Sequence, residues 1–240
     1  MKMNLVIDNG NTALKIGVFD GDSLLFQEVY SDQDTIKLLT DLAKFQFRKV
    51  LVSRVSPLPS SLESLLEKHP DVVLLNASTL LPIANFYKTP ETLGNDRLAN
   101  AIAANMLFPN QNCLIIDVGT CIKYDFISNS SYLGGAISPG LMMRYKALNY
   151  YTSQLPLLSP IDNPELLGID TQSSIHSGII NGIKSEMLGF MSQYLEKYST
   201  IQFILTGGDC RYFLNLSKTS IFVDPFLNLK GLNTILQFNK

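Results

Sequence analysis

The sequence predicts an α/β protein made of two similar halves, each with a mixed β-sheet flanked by helices. Each half starts with a short apolar strand, a polar turn containing Asp, Gly and Thr, and two further strands in antiparallel order. Helical and strand patterns then alternate, which is typical of sheets with helices on their faces. The halves are predicted to meet near residues 108–113, giving domains 1–112 and 113–240.

The strongest sign of duplication is the repeated turn. Residues 7–15 have the pattern Ile-Asp-x-Gly-x-Thr-x-x-Lys, and residues 116–123 have Ile-Asp-x-Gly-Thr-x-x-Lys, one residue shorter before the threonine. A single copy would be explained by an ordinary hairpin turn rich in Asp, Asn and Gly. Two copies, each followed by the same order of strands and turns, favour an ancient duplication.

The remaining elements follow from apolar periodicity and turn residues. In the first half we predict strands at 5–7, 14–19, 24–29, 50–52 and 72–75, and helices at 33–45, 60–68 and 97–107. In the second half we predict strands at 114–116, 122–127, 132–137, 201–205 and 221–223, a long helix at 172–197 and a terminal helix. Ser174, Gly178 and Gly182 form a stripe of small residues on the long helix. This stripe favours close approach of another backbone, either from a second copy of the chain or from the chain's own sheet.

The repeated turns have the composition of phosphate-binding turns. Glycine allows amide N–H groups to point into a concave turn, which binds phosphate oxygens. The threonine hydroxyl adds a donor, the aspartate can hold hydrated Mg²⁺, and Lys15 can reach the same phosphates. Thr206-Gly207-Gly208 joins a buried strand to a helix, where a base, a ribose or a phosphate can approach closely. Taken alone, that segment would be an ordinary turn.

Composition excludes several classes of protein. Apolar residues make up 46% and charged residues 17%, with a net charge of −2 and no Lys/Arg cluster, so no nucleic-acid-binding face is expected. No uncharged apolar stretch is long enough to span a membrane, and the N-terminus lacks the pattern of a signal peptide. Three cysteines without metal-ligand spacing are expected to be reduced core residues in a cytoplasmic protein.

Further motifs narrow the prediction. Gly94-Asn95-Asp96-Arg97, the Gly-Gly-Ala-Ile-Ser-Pro-Gly segment at 134–140 and Asp117-x-Gly119-Thr120 occur in an order and spacing that resemble type III pantothenate kinases. That family is part of the actin, sugar kinase and Hsp70 superfamily, and the resemblance covers residues 4 to about 236. It implies two duplicated ribonuclease H-like (actin-like ATPase) domains that clamp ATP. It also implies transfer of the ATP γ-phosphate to pantothenate, giving 4'-phosphopantothenate, the first step towards coenzyme A.

The resemblance also implies roles for individual residues. Asp96 is the expected catalytic base, Asp8 the expected ligand of Mg²⁺ (directly or through water), and Asp117 the expected ligand of a monovalent cation, K⁺ or NH₄⁺. The expected ATP-binding residues are Asp8, Asn9, Gly10, Asn11, Thr12, Ala13, Leu14, Lys15, Thr120, Gly207 and Gly208. The expected pantothenate-binding residues are Tyr87, Gly94, Asn95, Asp96, Arg97 and Thr171. Like its relatives, the chain is expected to form a homodimer.

Plainer interpretations of these residues remain open from the sequence. Asn95 or Asp96 would also suit the start of the alanine-rich helix, Arg97 could pair with Asp96, and Thr171 could cap the long helix. Tyr87 could be merely an aromatic residue in a loop. The rival functions are another small kinase of the superfamily, acting on a sugar or an N-acetyl amino sugar, and an ATP-binding regulatory protein that assists transcription.

Overall fold

The computed structural model describes residues 3–31, 34–76, 78–216 and 220–239. The chain divides into two compact units, one formed by Met1–Met106 with Leu227–Lys240 and the other by Leu107–Phe226. This division differs from the predicted one in two respects. The chain passes from the first unit to the second between Met106 and Leu107. The C-terminal segment belongs to the first unit, because its helix packs there.

The secondary structure follows the predicted alternation. The strands are β1 (Met3–Asn9), β2 (Leu14–Asp20), β3 (Ser23–Tyr30), β4 (Phe47–Arg54), β5 (Val72–Leu74), β6 (Ala84–Asn85), β7 (Cys113–Val118), β8 (Cys121–Ser128), β9 (Ser131–Pro139), β10 (Gln202–Thr206) and β11 (Ile221–Val223). The helices are α1 (Thr35–Leu42), α2 (Ser60–Glu67), α3 (Asn95–Leu107), α4 (Leu141–Tyr151), α5 (Thr171–His176), α6 (Gly182–Lys197) and α7 (Leu227–Phe238). Residue 33, which was included in the first predicted helix, lies outside the described residues.

The two units repeat one sheet topology. In the first unit the strand order is β3-β2-β1-β4-β5, with β1, β2 and β3 antiparallel and β4 and β5 parallel to β1. In the second unit the corresponding order is β9-β8-β7-β10-β11, with the same directions. The repeated turns at Asp8 and Asp117 therefore end the equivalent central strands β1 and β7.

Each unit has its own apolar core against its sheet. In the first unit, Leu5 and Ile7 of β1 pack in one cluster with Leu38 of α1 and Leu62 of α2. In the second unit, Ile116 of β7 belongs to a cluster that includes side chains of α4, α5 and α6. Strand β7 is buried along its whole length and β1 from its third residue, Leu5, onward, so their backbone positions are fixed at the ends from which the turns leave.

Helix α4 was absent from the sequence prediction. Only Leu141 and Tyr145 of its residues are buried, so it lacks a regular apolar stripe. A pattern of two buried positions in eleven residues is too sparse to predict a helix. Among the described residues, no helix has the length and apolar composition needed to cross a bilayer.

The long predicted helix is interrupted by a π-helical turn at Ser177–Asn181, between α5 and α6. Gly178 is exposed, and a Cβ atom added at Gly178 or Gly182 would meet no atom within 4 Å. At these two glycines the stripe therefore meets no other backbone of the described residues. At Ser174 it does, because a Cβ atom added at Gly168 would lie 2.4 Å from the Cα atom of Ser174.

Helix α7 is fixed to the first unit by a close backbone approach. A Cβ atom at Gly231 would lie 1.8 Å from the carbonyl oxygen of Ala99 in α3. Asn233 donates a hydrogen bond to the carbonyl of Gly21 at 2.9 Å and accepts one from Asn4 at 3.0 Å. The contact requires glycine at position 231, since any side chain would push the two helices apart.

We therefore predict that Gly231→Ala lowers the free energy of unfolding by about 2–3 kcal/mol, because the added methyl group overlaps backbone that cannot rotate away. Gly189→Ala is the matched control, because it adds the same methyl group to the interior of α6, where nothing lies within 4 Å. The control should gain about 0.5–1 kcal/mol from improved helix propensity. Urea unfolding followed by circular dichroism measures both, and equal stability of the two variants would contradict the prediction.

Candidate active site

The first of the two repeated turns, residues 8–12, lies between β1 and β2 and is named the first phosphate turn after its predicted ligand. The amide of Gly10 donates a hydrogen bond to the carbonyl of Ala13 at 3.1 Å, which leaves Asn11 and Thr12 exposed at the tip. Asp8 is buried, and its carboxylate accepts a hydrogen bond from the side-chain amide of Asn228 in α7. The sequence analysis did not identify Asn228, which lies 220 residues from its partner and belongs to no local motif.

Lys15 stands opposite Asp8 in the register of β1 and β2. Residues directly opposite on antiparallel strands have side chains on the same face of the sheet. Lys15 is half-buried, so the first turn combines a carboxylate, exposed donors at the tip and a lysine. This is the set of groups that binds a phosphate with its metal ion.

The side chain of Asn9 forms hydrogen bonds within the first unit. Its side-chain amide donates to the carbonyl of Ser56 and the hydroxyl of Ser56, both at 3.0 Å, and to the carbonyl of Pro57 at 3.1 Å. These bonds attach the turn to the loop that follows β4. The side-chain amide of Asn9 therefore holds the turn in place.

The second phosphate turn lies between β7 and β8 and is tighter. The amide of Gly119 donates to the carbonyl of Cys121 at 3.1 Å, which leaves Thr120 exposed. The ammonium group of Lys123 lies 2.8 Å from Oδ2 of Asp117. Asp117 and Lys123 are directly opposed in the register of the two strands, as Asp8 and Lys15 are in the first unit.

The Thr206-Gly207-Gly208 segment packs against this second turn. Thr206 pairs with Asp117 in the parallel register of β10 and β7, and the amide of Asp209 donates to the carbonyl of Val118 at 2.9 Å. Gly207 has φ of +93°, and a Cβ atom there would lie 2.4 Å from both Oδ1 of Asp117 and the carbonyl oxygen of Val118. Glycine is thus required at position 207 for the Thr-Gly-Gly turn to lie beside the Asp117 turn.

A polar network that the sequence did not reveal supports the same turn from β9 and α4. A Cβ atom at Gly140 would lie 2.2 Å from the carbonyl oxygen of Thr120. Just beside it, the guanidinium of Arg144 donates to the carbonyl of Pro139 and the hydroxyl of Ser138, both at 2.9 Å. Arg144 is paired with Glu186.

Glu186 links this network to the sheet by accepting a hydrogen bond from the hydroxyl of Tyr124 at 2.7 Å. Burial alone would raise the pKa of Glu186, but hydrogen bonds from Arg144, Tyr124 and Ser138 lower it below its usual range. The carboxylate therefore stays charged, and its charge keeps Arg144 on the last two residues of β9.

Several of the predicted substrate-binding residues lie together at the start of α3. The carbonyl of Gly94 accepts the first helical hydrogen bond, from Leu98, so Asp96 lies in the first turn of the helix and does not precede it. Oδ1 of Asp96 accepts from the amide of Arg97 at 2.9 Å. A Cβ atom at Gly94 would be 2.5 Å from the same oxygen, so glycine leaves room for the carboxylate.

The aromatic ring of Tyr87 adds to this cluster. The guanidinium carbon of Arg97 lies 5.6 Å from the centre of that ring, within the range of a cation–π interaction. Arg97 is only 4% exposed. A buried guanidinium beside a tyrosine is fixed in direction, which suits recognition of a carboxylate.

Thr171 lies in the second unit, at the first residue of α5, and does not cap that helix. Asp170 is the N-cap, and its side chain forms a capping box with Ser173. Thr171 instead lines an open groove of about 420 Å³, together with Leu148, Leu155, Ser174, Ile175 and Gly178. The exposed Thr171 hydroxyl is therefore not needed for capping.

Two of the three cysteines are core residues, and the pKa values of their thiols are too high for a nucleophile. Cys113 and Cys210 are buried, and Cys121 is partly exposed. Burial raises the pKa of the Cys113 thiol to about 12 and contributes most to raising that of Cys210 to about 11. Neither thiol forms an appreciable amount of thiolate at neutral pH.

Two Asp-Gly-Thr turns on equivalent strands of duplicated sheets, with a Thr-Gly-Gly turn beside the second, define a protein of the actin-like ATPase fold. Solved structures share this fold. One is a conserved protein of the Baf family of transcriptional activators from Campylobacter jejuni, with a TM-score of 0.61, 22% identity and 98% of both chains covered. Another is a glucokinase from an Antarctic psychrotroph, with a TM-score of 0.50, 10% identity and 99% of both chains covered. The predicted fold class is confirmed.

The sequence comparisons identify the family. The type III pantothenate kinase family model matches residues 4–193. A type III pantothenate kinase of Christiangramia forsetii is 46% identical over 241 aligned positions, which cover 99% of each chain. The chain therefore belongs to the type III pantothenate kinase family, as predicted, and is a kinase.

The contact at Gly207 gives a testable expectation for the second unit. Gly207→Ala should lower the free energy of unfolding by about 2–4 kcal/mol, because it combines an unfavourable φ with overlap of the Asp117 turn. Gly208→Ala is the matched control for stability, since a Cβ atom there meets nothing within 4 Å. Thermal unfolding measured by circular dichroism should show a large loss for the first variant only. Similar losses for both variants would show that the close approach is not the cause.

Proposed function

We propose that this chain transfers the γ-phosphoryl group of ATP to the hydroxyl of pantothenate, giving 4'-phosphopantothenate for coenzyme A biosynthesis. Membership of the type III pantothenate kinase family supports the acceptor and the pathway. The observation that carries the assignment of the chemistry is the cluster at the start of α3. There Gly94 makes room for the carboxylate of Asp96, beside the buried guanidinium of Arg97.

Asp96 serves as the proton acceptor in this proposal. Phosphoryl transfer to an alcohol needs the hydroxyl oriented and its proton removed as the new bond to phosphorus forms. The amide of Arg97 donates to one carboxylate oxygen of Asp96, which fixes the direction of the side chain. Arg97 and Tyr87 form the side of the acceptor pocket that holds the carboxylate of pantothenate, and Gly94 and Asn95 contribute the backbone around it.

The nucleotide-binding residues are assigned in each unit. In the first unit they are the turn from Asp8 to Leu14 and Lys15, and in the second they are Thr120, Gly207 and Gly208. Asp8 fits a Mg²⁺ ion that accompanies ATP, because it is a buried carboxylate oxygen donor held in place by Asn228. When bound, Mg²⁺ supplies positive charge to the phosphate oxygens during transfer.

The monovalent cation expected at Asp117 meets a different environment. The ammonium group of Lys123 lies 2.8 Å from one oxygen of that carboxylate, and Gly207 packs against the other. These residues do not fit a resident K⁺ or NH₄⁺ ion as they stand, and no step of the reaction is assigned to one.

A homodimer is the second part of the proposal, and it is supported by the surface of the second unit. The groove beside Gly178 is open, and large apolar side chains near it are strongly exposed, including Tyr150, Tyr151, Leu166, Leu167 and Ile169, at 79–88% each. A concentration of apolar residues of this kind marks an interaction surface. A second copy of the chain is the partner that the family resemblance implies.

The rival functions receive less support. A sugar kinase is related by fold, but the identities are too low to transfer a substrate. The likeness to a Baf family protein likewise indicates only a common fold at 22% identity. A purely regulatory protein would not need the arrangement of Gly94 around Asp96.

The kinase assignment is tested by pantothenate-dependent release of ADP in Mg²⁺ and ATP, with glucose and N-acetylmannosamine as alternative acceptors. Asp96→Asn should reduce turnover by roughly 10²–10⁴-fold, because the general base is lost, while ATP affinity stays within about twofold. Asp22→Asn, which changes an exposed carboxylate elsewhere in the first unit, is the matched control and should retain wild-type turnover. Near-normal rates for Asp96→Asn would refute the base, and an absence of pantothenate-dependent turnover in every salt would refute the function.

The dimer is tested by light scattering of the purified chain, with an expected mass near twice 26.7 kDa. Ile169→Asp should shift the protein towards the monomer, because it places a charge on the proposed interface. Ile36→Asp is the matched control, since Ile36 is 83% exposed on α1 of the first unit. A monomeric wild type, or equal dissociation of the two variants, would rule out this interface.

A further inference from the structure

Lys123 and Asp117 form an ion pair within the second phosphate turn. The two residues face each other across β7 and β8, and their side chains are only 14% and 11% exposed. Dissolved salt screens the attraction between two charges only weakly when the side chains are this little exposed. The pair is therefore a fixed feature of the turn, since separating it would leave two poorly solvated charges.

The ammonium group of Lys123 has the charge and the hydrogen-bonding character of an ammonium ion. A lysine acts as a point charge towards phosphate, without the fork geometry of arginine. Because Lys123 is part of strand β8, its ammonium group is present at the Asp117 carboxylate whatever the salt composition of the medium. A free ion at the same oxygen would have to displace it.

The other oxygen of Asp117 offers little additional space. A Cβ atom at Gly207 would lie 2.4 Å from Oδ1, so the backbone of the Thr-Gly-Gly turn passes directly beside that atom. The carboxylate thus has a lysine at one oxygen and a backbone turn at the other. Both of these contacts come from residues of the second unit.

We propose that Lys123 is the built-in monovalent cation of the second phosphate turn, so that this enzyme works without K⁺ or NH₄⁺. The inference rests on the proposed function, because it concerns the charge beside the phosphates of ATP. In the first turn Lys15 stands opposite Asp8 in the same strand register, so a lysine follows each turn at the equivalent position. A diffusible monovalent ion is then unnecessary at the second turn.

The first test uses the wild-type protein and needs no variant. Turnover with pantothenate, Mg²⁺ and ATP is measured in choline, sodium, potassium and ammonium chloride at one ionic strength. We expect rates within about twofold of each other, because the required charge is covalently attached. A rate that rises fivefold or more in potassium or ammonium over choline would overturn the proposal.

The second test removes the lysine. Lys123→Met keeps the length and apolar character of the side chain but leaves Asp117 without this cation. In choline its turnover should fall at least tenfold, and potassium or ammonium should restore part of the loss. Lys197→Met, at the exposed end of α6 in the same unit, is the matched control and should retain wild-type rates in every salt.

A measurement of stability tests whether an ion binds at Asp117 independently of any effect on turnover. Thermal unfolding of Lys123→Met should shift upward in potassium or ammonium relative to choline at equal ionic strength, because an ion that binds only the folded state stabilises it. The wild type and Lys197→Met should show no such difference. A Lys123→Met protein that gains neither stability nor activity from either ion would overturn the claim that Lys123 occupies an ion's position.

Failure of this inference is distinguishable from failure of the proposed function. If pantothenate is not the acceptor, ADP release stays at background in every salt. In that case the affinity of the wild type for Mg-ATP, measured by calorimetry, still tests whether Lys123 replaces a monovalent ion. Equal affinity in potassium and choline supports the built-in cation, and markedly tighter binding in potassium overturns it.

Discussion

The register of three neighbouring strands in the second unit is the constraint on which its candidate site depends. Asp117 at the end of β7 faces Lys123 on β8 on one side and Thr206 on β10 on the other. A slip of one residue in either pairing would turn these side chains to opposite faces of the sheet. The register is held by buried apolar residues such as Ile116 and Leu205, far more than by the polar groups themselves.

Close backbone approach then completes the candidate site around this register. Gly207 and Gly140 bring two further segments against the Asp117 turn at distances that no side chain would tolerate. In the first unit, Gly94 does the same for the carboxylate of Asp96. At each of these glycines the absence of a Cβ atom leaves space that a neighbouring carbonyl or carboxylate oxygen occupies.

Much of this was predictable from the sequence because the information is local. The repeated turns, the buried strands and the Gly-Asn-Asp-Arg segment are each contained in fewer than ten residues, and they identified the fold class and the family. Contacts between distant segments were not predictable in this way. Asn228 on Asp8, Glu186 on Arg144 and the return of α7 to the first unit depend on tertiary packing, which no local pattern encodes. The hydrogen bond from the side-chain amide of Asn9 to Ser56 was not predictable for the same reason, since the two residues are 47 positions apart. The N-cap of α5 is different, because Asp170 and Ser173 are only three residues apart, and Thr171 was one of the alternatives for that cap.

The return of α7 has a consequence for synthesis of the chain. Leu227–Lys240 completes the first unit, yet it is translated only after the whole of Leu107–Phe226. At about 5–20 residues per second, the ribosome needs on the order of 6–24 s to make that stretch of 120 residues. During this interval the sheet that carries Asp8 lacks its covering helix, while the second unit, being continuous in sequence, is free to fold. The order of folding is thus expected to run against the order of synthesis, with the second unit closing before the first.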